Sequence, residues 1–333
     1  MKKRNKKILI IIIIILVLIV GIFLAGNYYI DLMLSRVGDG EVIHTEDAFI
    51  NKEVLKKKKP KDVENIALFG VDNSGGNYNE ERSDAMKIVS LNKDDKTIAL
   101  TSIERDVVAY IPGDYQKYGH FNWAYWFGGP KLAVQTLNYN LDLDITKYVS
   151  FSFGAVEDLV DLLGGIDIEL TNAEANIVGA SGAGVRTLNG RQALAYSRIR
   201  KLDSDFVRME RQNYVIQAIV NKLKNQDIFT IMNIVNEMLP NINTNLTTSE
   251  IKDYITSLLT YDLSNIEQYK EPSGEYNDIQ NCPGLGGYIV RSYSDMVENL
   301  HKNIYKIDSY EPSKTVLDNE DTIYSTYGRF SKE

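Results

Sequence analysis

Arg208, Arg211 and Gln212 are spaced i, i+3 and i+4, which puts all three on one face if their segment is helical. Arg198 and Arg200 stand a few residues earlier, where a tight loop can fold them back toward that face. Arg82 and Arg105 each have an acidic neighbour, in Arg82-Ser83-Asp84 and Glu104-Arg105-Asp106. An arginine presents a planar fork of N–H donors that matches phosphate oxygens two at a time, so several together suggest a diphosphate site. Surface ion pairs with Asp203, Asp205 and Glu210 explain the same spacing without any ligand.

Asp72 and Asp84 bracket a polar, glycine-rich stretch that begins Asn73-Ser74-Gly75-Gly76. Two carboxylates converging from the ends of one loop suit Mg²⁺, which usually takes one or two carboxylates together with substrate phosphates. An aspartate ahead of Asn-Ser-Gly-Gly is also an ordinary turn residue. Other chemistries fare worse. His44, His120 and His301 match no metal-ligand spacing, and Cys282 has no neighbouring histidine. Gly284-Leu285-Gly286-Gly287 lacks the spacing and context of a phosphate loop or dinucleotide fingerprint.

These residues need strands and helices to hold them. Asn65–Val71 is a short apolar run of the kind that forms a buried strand, and Asp72 stands at its end. Met86–Leu91 and Thr97–Ile103 read as two more strands joined by the turn Asn92-Lys93-Asp94-Asp95, with Arg105 just beyond the second. Pro130 opens a helix to about Leu137. Lys147–Phe151 is a strand, followed by a helix through Leu163 that Gly164-Gly165 closes. Ile166–Leu170 alternates as a strand with one wet face. Helices are predicted at Gly190–Ser197, about Phe206–Leu223, 228–238, 248–260 and 287–304. Strands and helices alternating through one region predict an α/β or α+β fold with helices packed over a sheet.

The N-terminus sets an expected topology. Residues 1–7 carry five basic side chains and no acidic one, and Ile8 to Ala25 then runs for 18 residues without a charge. As a helix that run is about 27 Å long, near the thickness of a bilayer's hydrocarbon core. Tyr28 and Tyr29 follow, where an interfacial aromatic belt would sit. The run is longer than a cleaved signal peptide's, and the basic flank predicts a cytoplasmic N-terminus with the remainder outside. Without those five positives the net charge of −8 becomes −13, which argues against general nucleic-acid binding. Cys282, the single cysteine, forms no internal disulfide.

Taken in order, the motifs resemble the LytR-CpsA-Psr family of bacterial cell-wall proteins. The resemblance runs from about Asn65 to Leu223. It is carried by Asn65–Asp72, Arg82-Ser83-Asp84, Ser102–Asp106, Ile111-Pro112-Gly113, Asn122–Tyr125 with Gly128-Gly129, Leu159–Ile166, Leu188–Arg200 and Arg208–Gln212. It implies an α/β/α sandwich with a central mixed sheet and a polyprenyl-binding tunnel, preceded by one transmembrane helix. It also implies transfer of a glycopolymer, of teichoic acid or capsular polysaccharide type, from undecaprenyl diphosphate onto a muramic acid hydroxyl of peptidoglycan. By the same resemblance Asp72 and Asp84 hold Mg²⁺. Arg82, Arg105, Arg198, Arg200, Arg208 and Arg211 surround the diphosphate, with Gln212 close by. Asp106, or else Asp84, is expected to take the hydroxyl proton. The chain departs from the family in two places: Glu104 stands where Pro is usual, and Asn73-Ser74-Gly75 where an arginine often follows the first aspartate.

The expected organisation is a cytoplasmic tail (1–7), a transmembrane helix (8–29) and an extracellular linker (30–62). A catalytic core (63–225) and a helical C-terminal part packed on it (226–333), with a flexible tail, complete the chain. The expected location is the cell membrane, as a single-pass protein with its C-terminal domain outside. A polyprenyl-diphosphate hydrolase and a non-catalytic envelope regulator or lipid-binding module are the rival readings. A cytoplasmic segment of about seven residues is too short to bind DNA.

Overall fold

In the computed structural model, residues 32, 38–57, 62–71, 82–200, 202, 205–258, 260–263, 265–274 and 279–329 are described. The expected transmembrane helix at 8–29 lies outside them, as does Asp72. No helix among the described residues is long and apolar enough to cross a membrane.

In chain order, the first part comprises β1 (Gly38–Asp39), α1 (Lys52–Lys56), β2 (Val63–Val71), β3 (Ser83–Asn92), β4 (Thr97–Ile103), the hairpin β5 (Val108–Ile111) and β6 (Lys117–His120), and α2 (Phe121–Leu141). Then come β7 (Lys147–Ser152), α3 (Phe153–Leu162), β8 (Ile166–Leu170), α4 (Asn172–Val178), β9 (Gly184–Leu188), α5 (Gly190–Ser197) and α6 (Asp205–Leu223). The last are α7 (Ile228–Met238), β10 (Ile242–Thr244), α8 (Thr248–Leu258), β11 (Glu267–Glu271), β12 (Ile279–Asn281), β13 (Tyr288–Val290), α9 (Tyr293–Tyr305) and α10 (Lys314–Tyr327).

Seven strands form one mixed sheet in the order β1-β10-β7-β2-β3-β4-β11. β2 pairs antiparallel with β3 and parallel with β7, β3 pairs antiparallel with β4, and β11 adds parallel to β4. The central strands are nearly continuously apolar because both faces are covered. On one face Ala67, Phe69, Val71, Met86, Ile88 and Tyr148 pack with α2, α9 and α10. On the other, Leu68, Ala85, Val149 and Phe151 face α3, α5, α6 and α7 across an apolar channel. The arrangement is the expected sheet with helices on both sides.

The middle of the chain follows its sequence pattern closely. β8 alternates buried and exposed positions, and β4 has the expected bounds. The helix expected to open at Pro130 instead begins at Phe121. Gly128 and Gly129 leave helical geometry and kink it, and Pro130 starts the second segment.

Two expectations are corrected. Within the expected linker, residues 38–57 pack on the body: β1 pairs with β10, Ala48 is fully buried, and Asn51 bonds the Asp142 carboxylate at 2.6 Å. The part after 225 is not only helical, because β10 and β11 extend the central sheet on opposite sides. The last helix, α10, buries Val316 and Ile323 against the core, and residues 330–333 at the chain end, where a flexible tail is expected, lie outside the described residues. In each case short or polar stretches are organised by pairing partners distant in sequence, which local periodicity does not report.

Candidate functional site

The loop that follows β4 carries Arg105 and Asp106, and it is held from three sides. Glu104 donates its N–H to the Glu271 carbonyl of β11 at 2.9 Å, and Asn122 of α2 donates its N–H to the Arg105 carbonyl at 3.1 Å. Tyr288 of β13 donates to the Asp106 carbonyl at 2.9 Å. Gly287 permits that third contact. Its φ is +67°, and a Cβ there would stand 2.2 Å from the Asp106 carbonyl oxygen. The C-terminal segment thus braces the loop.

Arg105 is buried, and its guanidinium bridges two carboxylates. Nη1 donates to Asp84 at the start of β3, and Nε donates to Asp106 at 3.2 Å. Asp106 also accepts from Asn122 Nδ2 at 3.3 Å and lies 3.8 Å from His120 Nδ1. These ties turn the Asp106 carboxylate toward Arg105 and α2.

Arg198 is placed by α5. Asn189 caps that helix in a reciprocal pair with Gln192. At Gly190 a Cβ would stand 2.1 Å from the Glu157 carbonyl oxygen, so only glycine lets α5 lie this close to α3. Arg198 ends the helix with its guanidinium 5.2 Å above the Phe153 ring, a cation–π contact. Arg200 reaches to within 3.8 Å of Asp84.

Asp84, Phe153, Arg198, Arg200, Arg208 and Gln212 together line a polar cleft of about 320 Å³. Behind it lies the apolar channel between the sheet and α3, α5, α6 and α7, a cavity of about 270 Å³. Phe153 and Gln212 line both spaces, so the cationic cleft and the apolar channel adjoin. An anionic head carried on a long hydrocarbon tail matches this pair of surfaces.

The expected site residues do not all converge. Asp84, Arg198, Arg200, Arg208 and Gln212 line the cleft, and Arg105 is bonded to its Asp84 wall. Arg82 is exposed and stacks on Trp126 at 4.8 Å. Arg211 is engaged elsewhere, with Nε donating to Glu174 of α4 at 2.8 Å and Nη1 to the Ile199 carbonyl at 3.4 Å, all buried. The i, i+3 spacing puts it on the face of Arg208, but the capping-box glutamate of α4 takes its guanidinium. Burial pushes the Glu174 carboxyl up, but the Thr171 N–H and Arg211 outweigh it and leave it lowered.

Asp84 fits a hard divalent cation as one carboxylate at the wall of a phosphate-sized cleft. Among the described residues no three His, Cys, Asp or Glu side chains cluster for a metal.

Two residues that line these spaces were not singled out in the sequence. Phe153 opens α3 and separates cleft from channel, yet it reads there as an ordinary core aromatic. Lys87 interrupts the apolar run Met86-Lys87-Ile88-Val89, a visible signal, and it lines the channel while almost fully buried.

Residues 34–297 match the family model LytR_cpsA_psr family. The chain is 33% identical over 244 residues to polyisoprenyl-teichoic acid–peptidoglycan teichoic acid transferase TagT of Bacillus subtilis, spanning 68% of this chain and 74% of that protein. It is 34% identical over 263 residues to the corresponding transferase TagU of Bacillus licheniformis, spanning 76% of this chain and 82% of that one. A solved structure described as TagT bound to LI-WTA is similar with a TM-score of 0.61 and 26% identity, covering 81% of this chain and 100% of that one.

Proposed function

The chain belongs to the LytR-CpsA-Psr family, and from that premise we propose that it transfers a lipid-linked glycopolymer of teichoic acid type onto peptidoglycan. One observation carries this reading: an arginine-lined cleft adjoins an apolar channel through Phe153 and Gln212. The polyprenyl tail lies in the channel and the diphosphate in the cleft. A water-soluble nucleotide has no use for such a channel.

Transfer joins an acceptor hydroxyl oxygen to the polymer-side phosphorus and breaks the bridging P–O bond. Polyprenyl phosphate leaves with the electron pair. The protein's task is positioning and charge neutralisation rather than covalent chemistry. Arg198, Arg200 and Arg208 meet the diphosphate oxygens along the cleft wall. Arg105 orients Asp84, and Asp106 with Asn122 orients Arg105. Of the two carboxylates considered for the hydroxyl proton, Asp84 is the one that lines the cleft, so it meets the substrate while Asp106 acts through Arg105. Asp84, with Asp72, would hold Mg²⁺, which would supply positive charge for the diphosphate. Capsular polysaccharide is a second polymer class that this reading admits.

The basic-flanked apolar run from Ile8 to Ala25 supports a single-pass anchor with the described body outside the cell. An anchor keeps the enzyme at the surface where a polyprenyl carrier holds its diphosphate.

The deciding experiment supplies the full-length chain with polyprenyl-diphosphate-linked polymer and peptidoglycan oligomers. A phosphodiester-linked polymer–peptidoglycan product is expected, and Arg198→Ala should abolish it while the circular dichroism spectrum is kept. Release of free phosphorylated polymer in place of the adduct would instead identify a hydrolase.

A further inference from the structure

Among the described residues that line the channel, Lys87 alone carries a charge. It sits on β3 two positions beyond Ala85, on the channel face, with Leu68 of β2 and Ser102 of β4 as its cross-strand neighbours. Its Nζ donates to Ser102 Oγ and to Asn213 Oδ1, each at 2.7 Å. Both acceptors are neutral. Asn213 adjoins Gln212, which lines cleft and channel alike, and Arg208 lies one turn earlier on α6. Lys87 is therefore placed beneath the segment of α6 that faces the diphosphate.

A buried ammonium whose bonded acceptors are neutral is a costly way to fill space, and a methionine would pack here without that cost. Burial first, and the positive charge of Arg208 second, bring Lys87 down to about 7, so it is close to half charged at neutral pH. The groups facing Nζ are Ser102 from β4 and Asn213 and Arg208 from α6. An anion arriving beside it would complete the set, and an anion at the junction of channel and cleft is one borne on an apolar chain.

We propose that Lys87 is the channel-side grip on the lipid-proximal phosphate, dividing the diphosphate between Lys87 with Arg208 on the lipid side and Arg198 with Arg200 on the polymer side. This rests on the transferase reading and adds a substrate-binding residue to it. When the bridging P–O bond breaks, the lipid phosphate gains negative charge, and the Lys87 ammonium stabilises it where it leaves.

The test uses the full-length chain in detergent micelles, with polyprenyl diphosphate, polyprenyl monophosphate and the uncharged polyprenol as probes. Calorimetry at pH 8 in two buffers of different protonation heat reads affinity and proton uptake together. The wild-type chain should take up protons on binding either phosphorylated lipid. Lys87→Met and Lys87→Gln should bind both about tenfold or more weakly. They should show no proton uptake and bind polyprenol as the wild type does. Gln keeps a hydrogen-bonding head, so its agreement with Met separates loss of charge from a packing defect. Unchanged affinity of both variants for the phosphorylated lipids overturns the assignment, and so does an equal loss for all three probes. If the wild-type chain binds neither phosphorylated lipid, the transferase reading falls as well.

Discussion

Arg211 and Glu174 form a buried ion pair at 2.8 Å that ties α6 to the first turn of α4, one helical turn from the cleft arginine Arg208. Two arginines on one helix face therefore do different work. Arg211 fixes the angle of α6, and Arg208 uses that fixed platform to reach the cleft. Removing one member of a buried pair strands the other charge, at a cost of about 3–5 kcal/mol. Arg211→Ala should lower the unfolding free energy by roughly that much in urea titrations, as should Glu174→Ala. Arg198→Ala, at an exposed position, should change stability by less than about 0.5 kcal/mol while eliminating transfer. Equal stabilities for the Arg211 and Arg198 variants would contradict this division.

Arg105 donates from different nitrogens to Asp84 and to Asp106. A lysine keeps the charge but has no fork to span two carboxylates. Arg105→Lys should therefore reduce the transfer rate about a hundredfold with little change in lipid affinity, a fall of about 2.7 kcal/mol in transition-state stabilisation. Steady-state kinetics with varied lipid donor separates the two effects. A variant with raised KM and unchanged kcat would show that Arg105 serves binding alone.

If Asp84 holds the proposed Mg²⁺, transfer should depend on divalent cation. Asp84→Asn removes the charge that Mg²⁺ needs while leaving an acceptor for Arg105. Transfer by the wild-type chain should rise with added Mg²⁺ and vanish with chelator, and the Asn variant should be slow at every Mg²⁺ concentration. Full activity of the wild type in excess chelator would remove the cation from the reaction.

Residues in regular elements were the legible part of this molecule. β4 follows from a short, mostly apolar run, β8 from period-two alternation and α5 from a helical pattern with its own capping signal in Asn189 and Gln192. Arg198, Arg200, Arg208 and Gln212 were legible because they flank or occupy these patterned helices. The Arg211 pairing was not legible because spacing gives only a face, whereas its partner Glu174 comes from 37 residues upstream. The orientation of Asp106 was hidden for the same reason: Asn122 and His120 decide which way its carboxylate turns. The packing of 38–57 and the brace from Gly287 and Tyr288 are tertiary pairings with no local period to announce them.

Glu271 ends β11 beside the Arg105 loop, fully buried, and burial raises its carboxyl to about 8. Its folded value lies above the unfolded value near 4.5, so the native state holds a proton that the unfolded chain has released. Stability from this group is complete below about pH 4.5 and is lost as pH rises through 8. The loss is on the order of a few kcal/mol across that window. Glu271→Gln keeps the neutral form at every pH. Urea unfolding at pH 5 and pH 8 should show the wild type losing more stability over this interval than the Gln variant does. Parallel losses would place the Glu271 carboxyl in its ordinary range.

Channel length is testable through Ile216, a half-buried α6 residue that lines the apolar cavity. Overpacking a fully buried core position costs about 1–3 kcal/mol, whereas a half-buried one can yield toward solvent. Ile216→Trp should thus fold while filling part of the space proposed for the polyprenyl tail. Donors with a full-length polyprenyl chain should lose about tenfold or more in kcat/KM, since displaced apolar contact is worth roughly 25 cal/mol per Å². Donors with one or two isoprene units should be spared, because their phosphates sit in the cleft and their tails stop short of residue 216. A uniform loss for long and short donors would mean that the substitution disturbs Gln212 and the cleft, and that the channel does not hold the tail.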